Sequence, residues 1–109
     1  MKMVKAIVYF FLITFLTTST FSKAIAIEGG EKLFSQHCSA CHLGGINIII
    51  PEKNLTKETL VENGMNSISA ISYQILNGKN GMPAFGGRLT EEEIEKIANY
   101  VLLSSWKEF

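Results

Sequence analysis

An all-α fold is predicted for this chain on three observations. No run of residues reads convincingly as a pair of strands. Apolar residues recur at helical spacing in several segments, and glycines or hydroxyl-bearing caps stand where those segments would end. The 109 residues show no internal repeat and no low-complexity stretch.

The first 26 residues stand apart from that fold. Lys2 and Lys5 form a positive start, and Ala6 to Phe21 is an apolar, aromatic-rich run interrupted only by threonines and a serine. Ala24-Ile25-Ala26 then offers a small-x-small cleavage pattern. An uncleaved membrane anchor needs about 20 mostly apolar residues. The polar interruptions and the A-x-A ending instead predict a signal peptide over 1–26, removed after Ala26, with no membrane insertion of what remains. Residues 27–109 then make one small domain with a thin core. Three of the ten basic residues (Lys2, Lys5 and Lys23) fall in the leader, whereas all ten acids follow it. Residues 27–109 therefore carry seven bases against ten acids, a net charge of −3. That balance excludes a basic nucleic-acid footprint.

Within the domain, Glu28 to Ser39 reads as a first helix, with Leu33 and Phe34 apolar and Gly30 small. A Gly-rich loop follows from Leu43 through Pro51. Its Ile48-Ile49-Ile50 run has strand propensity but no partner strand, so it reads as extended loop against a buried group. Thr56 to Asn63 reads as a short helix closed by Gly64. Ser67 to Asn77 reads as another, with Ile68, Ile71 and Ile75 in register and Gly78 as its stop. The last helix starts at Thr90, which forms a capping-box pair with Glu93, and Glu91, Glu92 and Glu93 suit the positive end of the helix dipole. Ile94, Ile97, Ala98, Val101 and Leu102 complete an i, i+3, i+4, i+7, i+8 stripe.

Chemistry is concentrated in Cys38-Ser39-Ala40-Cys41-His42, a C-x-x-C-H sequence. Two thiols three positions apart lie on one side of a helical turn, so both can form thioethers with the vinyl groups along one edge of a porphyrin. The histidine that follows can give an imidazole nitrogen to iron. C-x-x-C alone also serves redox disulfides and zinc sites. The adjacent His42, the absence of any other cysteine and the export signal point to covalent haem c. A disulfide closing so small a loop would constrain the unfolded chain little.

The other face of the iron requires a ligand or an open position. Met65, Met82 and His37 are the candidates in the domain. His37 immediately precedes Cys38 and reads as an exposed helix residue. Met65 lies in a turn between helices and reads as core filler. Met82 has the better context: Gly81 permits close backbone approach, and Pro83 holds Met82 in extended geometry.

Taken together, Cys38-Ser39-Ala40-Cys41-His42 with Gly44-Gly45, Pro51-Glu52-Lys53, Asn63-Gly64-Met65-Asn66, Asn77-Gly78-Lys79-Asn80, the run from Gly81 to Leu89, and Ala98-Asn99-Tyr100-Val101 resemble the cytochrome c6 family. The likeness runs in order through essentially all of 27–109. It implies a class I cytochrome c fold with one haem held by Cys38 and Cys41 and ligated by His42 and Met82. It implies packing of the first helix on the last, Gly30 and Phe34 facing Ile97 and Tyr100. It also implies a non-enzymatic, monomeric one-electron carrier of the thylakoid lumen, in an algal plastid or a cyanobacterium, taking electrons from the cytochrome b6f complex to photosystem I. In the resemblance Arg88 matches an arginine near the exposed haem edge that aids docking, Gln74 a glutamine that tunes the potential, and Lys53 a residue near a propionate. Ile46 departs from the asparagine of many relatives.

The motif on its own leaves other functions open. A periplasmic cytochrome c feeding a terminal oxidase would share the haem chemistry. A haem sensor or peroxidase would need an open distal site, and a haem-free redox or zinc module would use the thiols alone.

Overall fold

The computed structural model describes the backbone of residues 1–109 and the side chains of residues 1–14 and 29–109. Five α-helices follow one another: α1 (Lys2–His37), α2 (Ser39–His42), α3 (Lys57–Glu62), α4 (Ile68–Asn77) and α5 (Glu91–Lys107). Single 3-10 turns at Leu43–Gly45 and Pro51–Lys53 lie between α2 and α3. Among the described residues the only β geometry is two isolated bridges, Lys79 with Met82 and Gly86 with Leu89.

The predicted helices are present, with one change of extent. The first helix begins at Lys2 rather than Glu28 and stops at His37 rather than Ser39. No proline or glycine stands between Lys2 and Glu28, so nothing in the leader breaks the hydrogen-bond ladder before the domain. Among the described residues of the leader, the large apolar side chains from Met3 to Ile13 are exposed. The Ala24-Ile25-Ala26 signal lies outside the described side chains. No described helix is long and apolar enough to cross a membrane.

Packing is organised by α1 against α5. At their contact, a Cβ on Gly30 would stand 2.8 Å from the Tyr100 Cβ and closer still to the Lys96 carbonyl oxygen. Only a glycine lets the two backbones approach this far. One turn later Phe34 is buried against Tyr100, ring centroids 5.2 Å apart. The α5 stripe is as expected: Ile94, Ile97, Ala98 and Val101 are buried and Leu102 packs on their edge. Helix α4 adds Ile71 and Ile75, and α3 adds Leu60.

Local caps set the helix starts. The Thr56 and Ser67 side chains accept from Thr59 N–H and Ala70 N–H at the heads of α3 and α4. At α5 the Glu93 N–H donates to Thr90 Oγ1 at 3.1 Å and the Thr90 N–H donates to Glu93 Oε1 at 2.9 Å, a complete capping box. The Thr90 backbone N–H, with its hydroxyl, holds the Glu93 carboxyl below its ordinary range. At the far end of α5, Lys57 Nζ sits 3.6 Å from the Trp106 ring centroid and ties α3 to it.

Thr90→Ala is expected to lower the unfolding free energy by about 1 kcal/mol in a denaturant titration; an unchanged midpoint would contradict the capping role. The charge-dependent part follows from a depressed folded pKa. It is complete above the unfolded carboxyl pKa and fades as pH falls through the folded value, and Glu93→Gln should remove it.

Candidate haem site

Helix α1 ends at His37 with Cys38 as its C-cap, whose N–H still donates to the Phe34 carbonyl at 2.8 Å. The Cys38 carbonyl then accepts from the Cys41 N–H at 3.2 Å and the His42 N–H at 2.9 Å, closing the single turn α2. Both cysteines are free thiols, Cys38 buried and Cys41 partly so. Burial pushes the Cys38 thiol up to about 11.

His42 is oriented by the loop that follows it. Its Nδ1 lies 2.9 Å from the Ile46 carbonyl oxygen. A carbonyl can only accept, so Nδ1 carries the proton and Nε2 is left with its lone pair for a metal. Asn47 then shapes the loop: its Oδ1 accepts from Ile49 N–H at 3.0 Å and Ile50 N–H at 2.9 Å, and its Nδ2 donates to the Lys53 carbonyl at 3.1 Å. Sequence reasoning passed over Asn47, although asparagine among apolar loop residues is a recognisable turn-forming signal. Of the Ile48-Ile49-Ile50 run, Ile49 and Ile50 line the cavity below, but Ile48 does not line it and is exposed. Ile49, although it lines the cavity, is exposed as well, and Ile50 is half-buried.

Met82 comes from the loop between α4 and α5. Gly78 ends α4 at φ 67°, and the Lys79 and Met82 backbones bond each other in both directions at 3.0 Å. Gln74, one turn before the end of α4, points Nε2 at the Met82 sulfur, 3.8 Å away. The close approach at Gly81 is to Ile49, whose Cγ2 would stand 3.0 Å from a Cβ there.

These segments enclose one cavity of ≈ 450 Å³. Cys38, Cys41, His42 and Met82 all line it, with mainly apolar walls from α3, α4, α5 and the intervening loops. Gln74, Lys53 and Arg88 line it too. Lys53 bonds the Asn63 side chain at the surface. Arg88 is exposed, its guanidinium carbon 4.9 Å from the centre of the Phe85 ring, and His37 meets the same ring edge-on at 6.3 Å. Met65 packs on the core as expected of a filler, and it also reaches the cavity wall.

The donor chemistry fits covalent haem. Two thiols and an imidazole arrive together on one helical turn, a thioether arrives from a separate loop, and the walls suit a flat apolar macrocycle.

Comparisons with known proteins agree. A family model described as "Cytochrome C oxidase, cbb3-type, subunit III" matches residues 26–101. The chain is 61% identical to a cytochrome c6 of Bumilleriopsis filiformis over 79 residues, 72% of this chain and 92% of that protein. It is 57% identical to a cytochrome c6 of Petalonia fascia over 83 residues, covering 76% and 98%. The fold matches a crystal structure of cytochrome c6 from the diatom Phaeodactylum tricornutum with a TM-score of 0.74 at 47% identity, covering 76% of this chain and 98% of that one. That similarity establishes the class I cytochrome c fold and implies a covalently bound haem c.

Proposed function

The chain belongs to the cytochrome c6 family, a family of c-type cytochrome electron carriers, and from that premise we propose that it takes single electrons from the cytochrome b6f complex to photosystem I in the thylakoid lumen. The observation that carries the reading is the convergence of Cys38, Cys41, His42 and Met82 on one apolar cavity.

Bound haem supplies one-electron Fe(II)/Fe(III) chemistry. Cys38 and Cys41 would hold it through thioethers, and His42 would bind the iron through Nε2 while the Ile46 carbonyl holds the ring. Met82 would hold the iron through its sulfur together with His42, and a pair of protein ligands would suit one-electron exchange with little rearrangement. The thioether and the apolar walls disfavour the more charged ferric form and raise the potential. Gln74 donates Nε2–H to the Met82 sulfur at 3.8 Å and so tunes that effect. Lys53, at the cavity wall, lies where a propionate can meet a positive charge.

These residues move no bonds on a substrate, so the protein is not an enzyme. Arg88, exposed beside the cavity, presents a positive charge to photosystem I on a domain of net charge −3. A shuttle must leave after each transfer, which requires a small contact with charge-dependent on-rates. A monomer suffices for this. Residues 1–26 serve export as a cleaved leader, consistent with the exposed apolar side chains between Met3 and Ile13. Delivery to a terminal oxidase would share the haem chemistry and differ only in partners. Cytochrome c6 relatives match this chain at more than half identity over nearly their whole length.

The exported protein should begin at Ile27 on N-terminal sequencing; a start at Met1 would contradict a cleaved leader. Met82→Ala should lower the potential, abolish the methionine–iron charge-transfer band and admit exogenous ligands, and an unchanged spectrum would refute the ligand assignment. Arg88→Glu should slow photosystem I reduction at least about tenfold at low salt, with the haem spectrum intact. A rate equal to wild type would remove Arg88 from docking.

A further inference from the structure

Three aromatic rings meet where α1, α5 and the loop after the haem-binding turn come together. Phe109 packs on Phe34 with centroids 5.8 Å apart and on Tyr100 at 6.1 Å. To reach them the chain reverses after α5 through Glu108, a non-glycine residue at φ 61°. Left-handed geometry at such a residue is disfavoured and persists where surrounding contacts hold it.

The same ring covers Gly45. A Cβ there would stand 2.6 Å from the Phe109 Cδ2 and 2.8 Å from its Cγ, so the ring lies directly on the glycine backbone. Gly45 is buried, at φ 82°, and its carbonyl accepts from the Leu55 N–H at 2.7 Å. The next residue is Ile46, whose carbonyl oxygen holds His42 Nδ1 at 2.9 Å. Ile46 itself is exposed, so its side chain does little to fix that carbonyl. The Gly45–Ile46 peptide, one step before the carbonyl that orients His42, is therefore held by Leu55 and covered at Gly45 by Phe109.

We propose that Phe109 is a positioning residue for the proximal ligand, acting through Gly45 and the Ile46 carbonyl on His42. The inference rests on the reading of His42 as an iron ligand. A hydrogen bond from Nδ1–H to a fixed carbonyl makes the imidazole a stronger donor and favours ferric iron. Freeing the carbonyl weakens that bond, which raises the potential and exposes Nδ1–H to solvent.

The test uses the exported holoprotein. In Phe109→Ala, NMR of the ferrous form should show His42 Nδ1–H exchanging on the order of tenfold faster, as a local opening of this loop requires. The potential should rise while the methionine–iron band is kept. Gly45→Ala, which drives a Cβ into the ring, should shift both readouts in the same direction. Phe109→Tyr, which keeps the ring, should restore wild-type values. Phe109→Leu gives a graded version if the alanine variant loses haem, with the same signs expected. Wild-type exchange and potential in the alanine or leucine variant would overturn the proposal, as would a fall in potential or a tyrosine variant as perturbed as alanine. A loss of global stability alone can speed exchange through unfolding but leaves the potential of the folded protein at wild type, so faster exchange with an unchanged potential would overturn the proposal. If the wild-type protein itself lacks a histidine ligand signature at His42, the ligand reading fails and the proposal with it, a result distinct from the others.

Discussion

The crossing of α1 over α5 at Gly30 is the constraint on which the site depends. With a Cβ at that position excluded by the Lys96 carbonyl and Tyr100, the helices sit close enough for Phe34 to bury its ring on Tyr100. The end of α1 is thereby fixed relative to α5, and Cys38 begins the haem-binding turn directly from that end. Ile97 and Val101 on α5 are both core residues and cavity wall. One helix contact thus sets the anchor for the haem and one wall of its pocket together.

The cavity and the hydrophobic core share much of their lining. Leu60, Ile71, Ile75, Phe85, Ile97 and Val101 are buried, and each also faces the cavity. A domain of this size has little apolar interior of its own. The haem would complete the core as well as supply the redox centre, so attachment and folding are energetically linked. Lys53 and Arg88, both exposed, line the same cavity and set positive charge beside its apolar walls.

Much of this was legible in the sequence because the signals were local. Thr56, Ser67 and the Thr90/Glu93 pair cap helices within three residues of themselves, and the isoleucines of α4 and the stripe of α5 repeat at the helical period. The haem-binding turn was equally plain, since its spacing is its mechanism. The start of α1 was not, because nothing between the leader and Glu28 interrupts a helix. Distant contacts were also invisible. Nothing in the sequence near His42 says that Ile46 offers it a carbonyl, and nothing near Gly45 says that Phe109 covers it. Met65 and Met82 show the same limit. Backbone context separated them, but both reach the cavity, and the Gln74 contact that distinguishes Met82 spans eight residues.

The central claim is a closed, one-electron haem site formed by Cys38, Cys41, His42 and Met82. An optical redox titration of the exported, haem-matured protein tests it most directly. The expected result is a single reversible one-electron transition, with a methionine–iron charge-transfer band in the ferric form and haem retained on the polypeptide after denaturation. A ferric spectrum without that band, haem lost on denaturation, or a two-electron transition of the cysteine pair would contradict it.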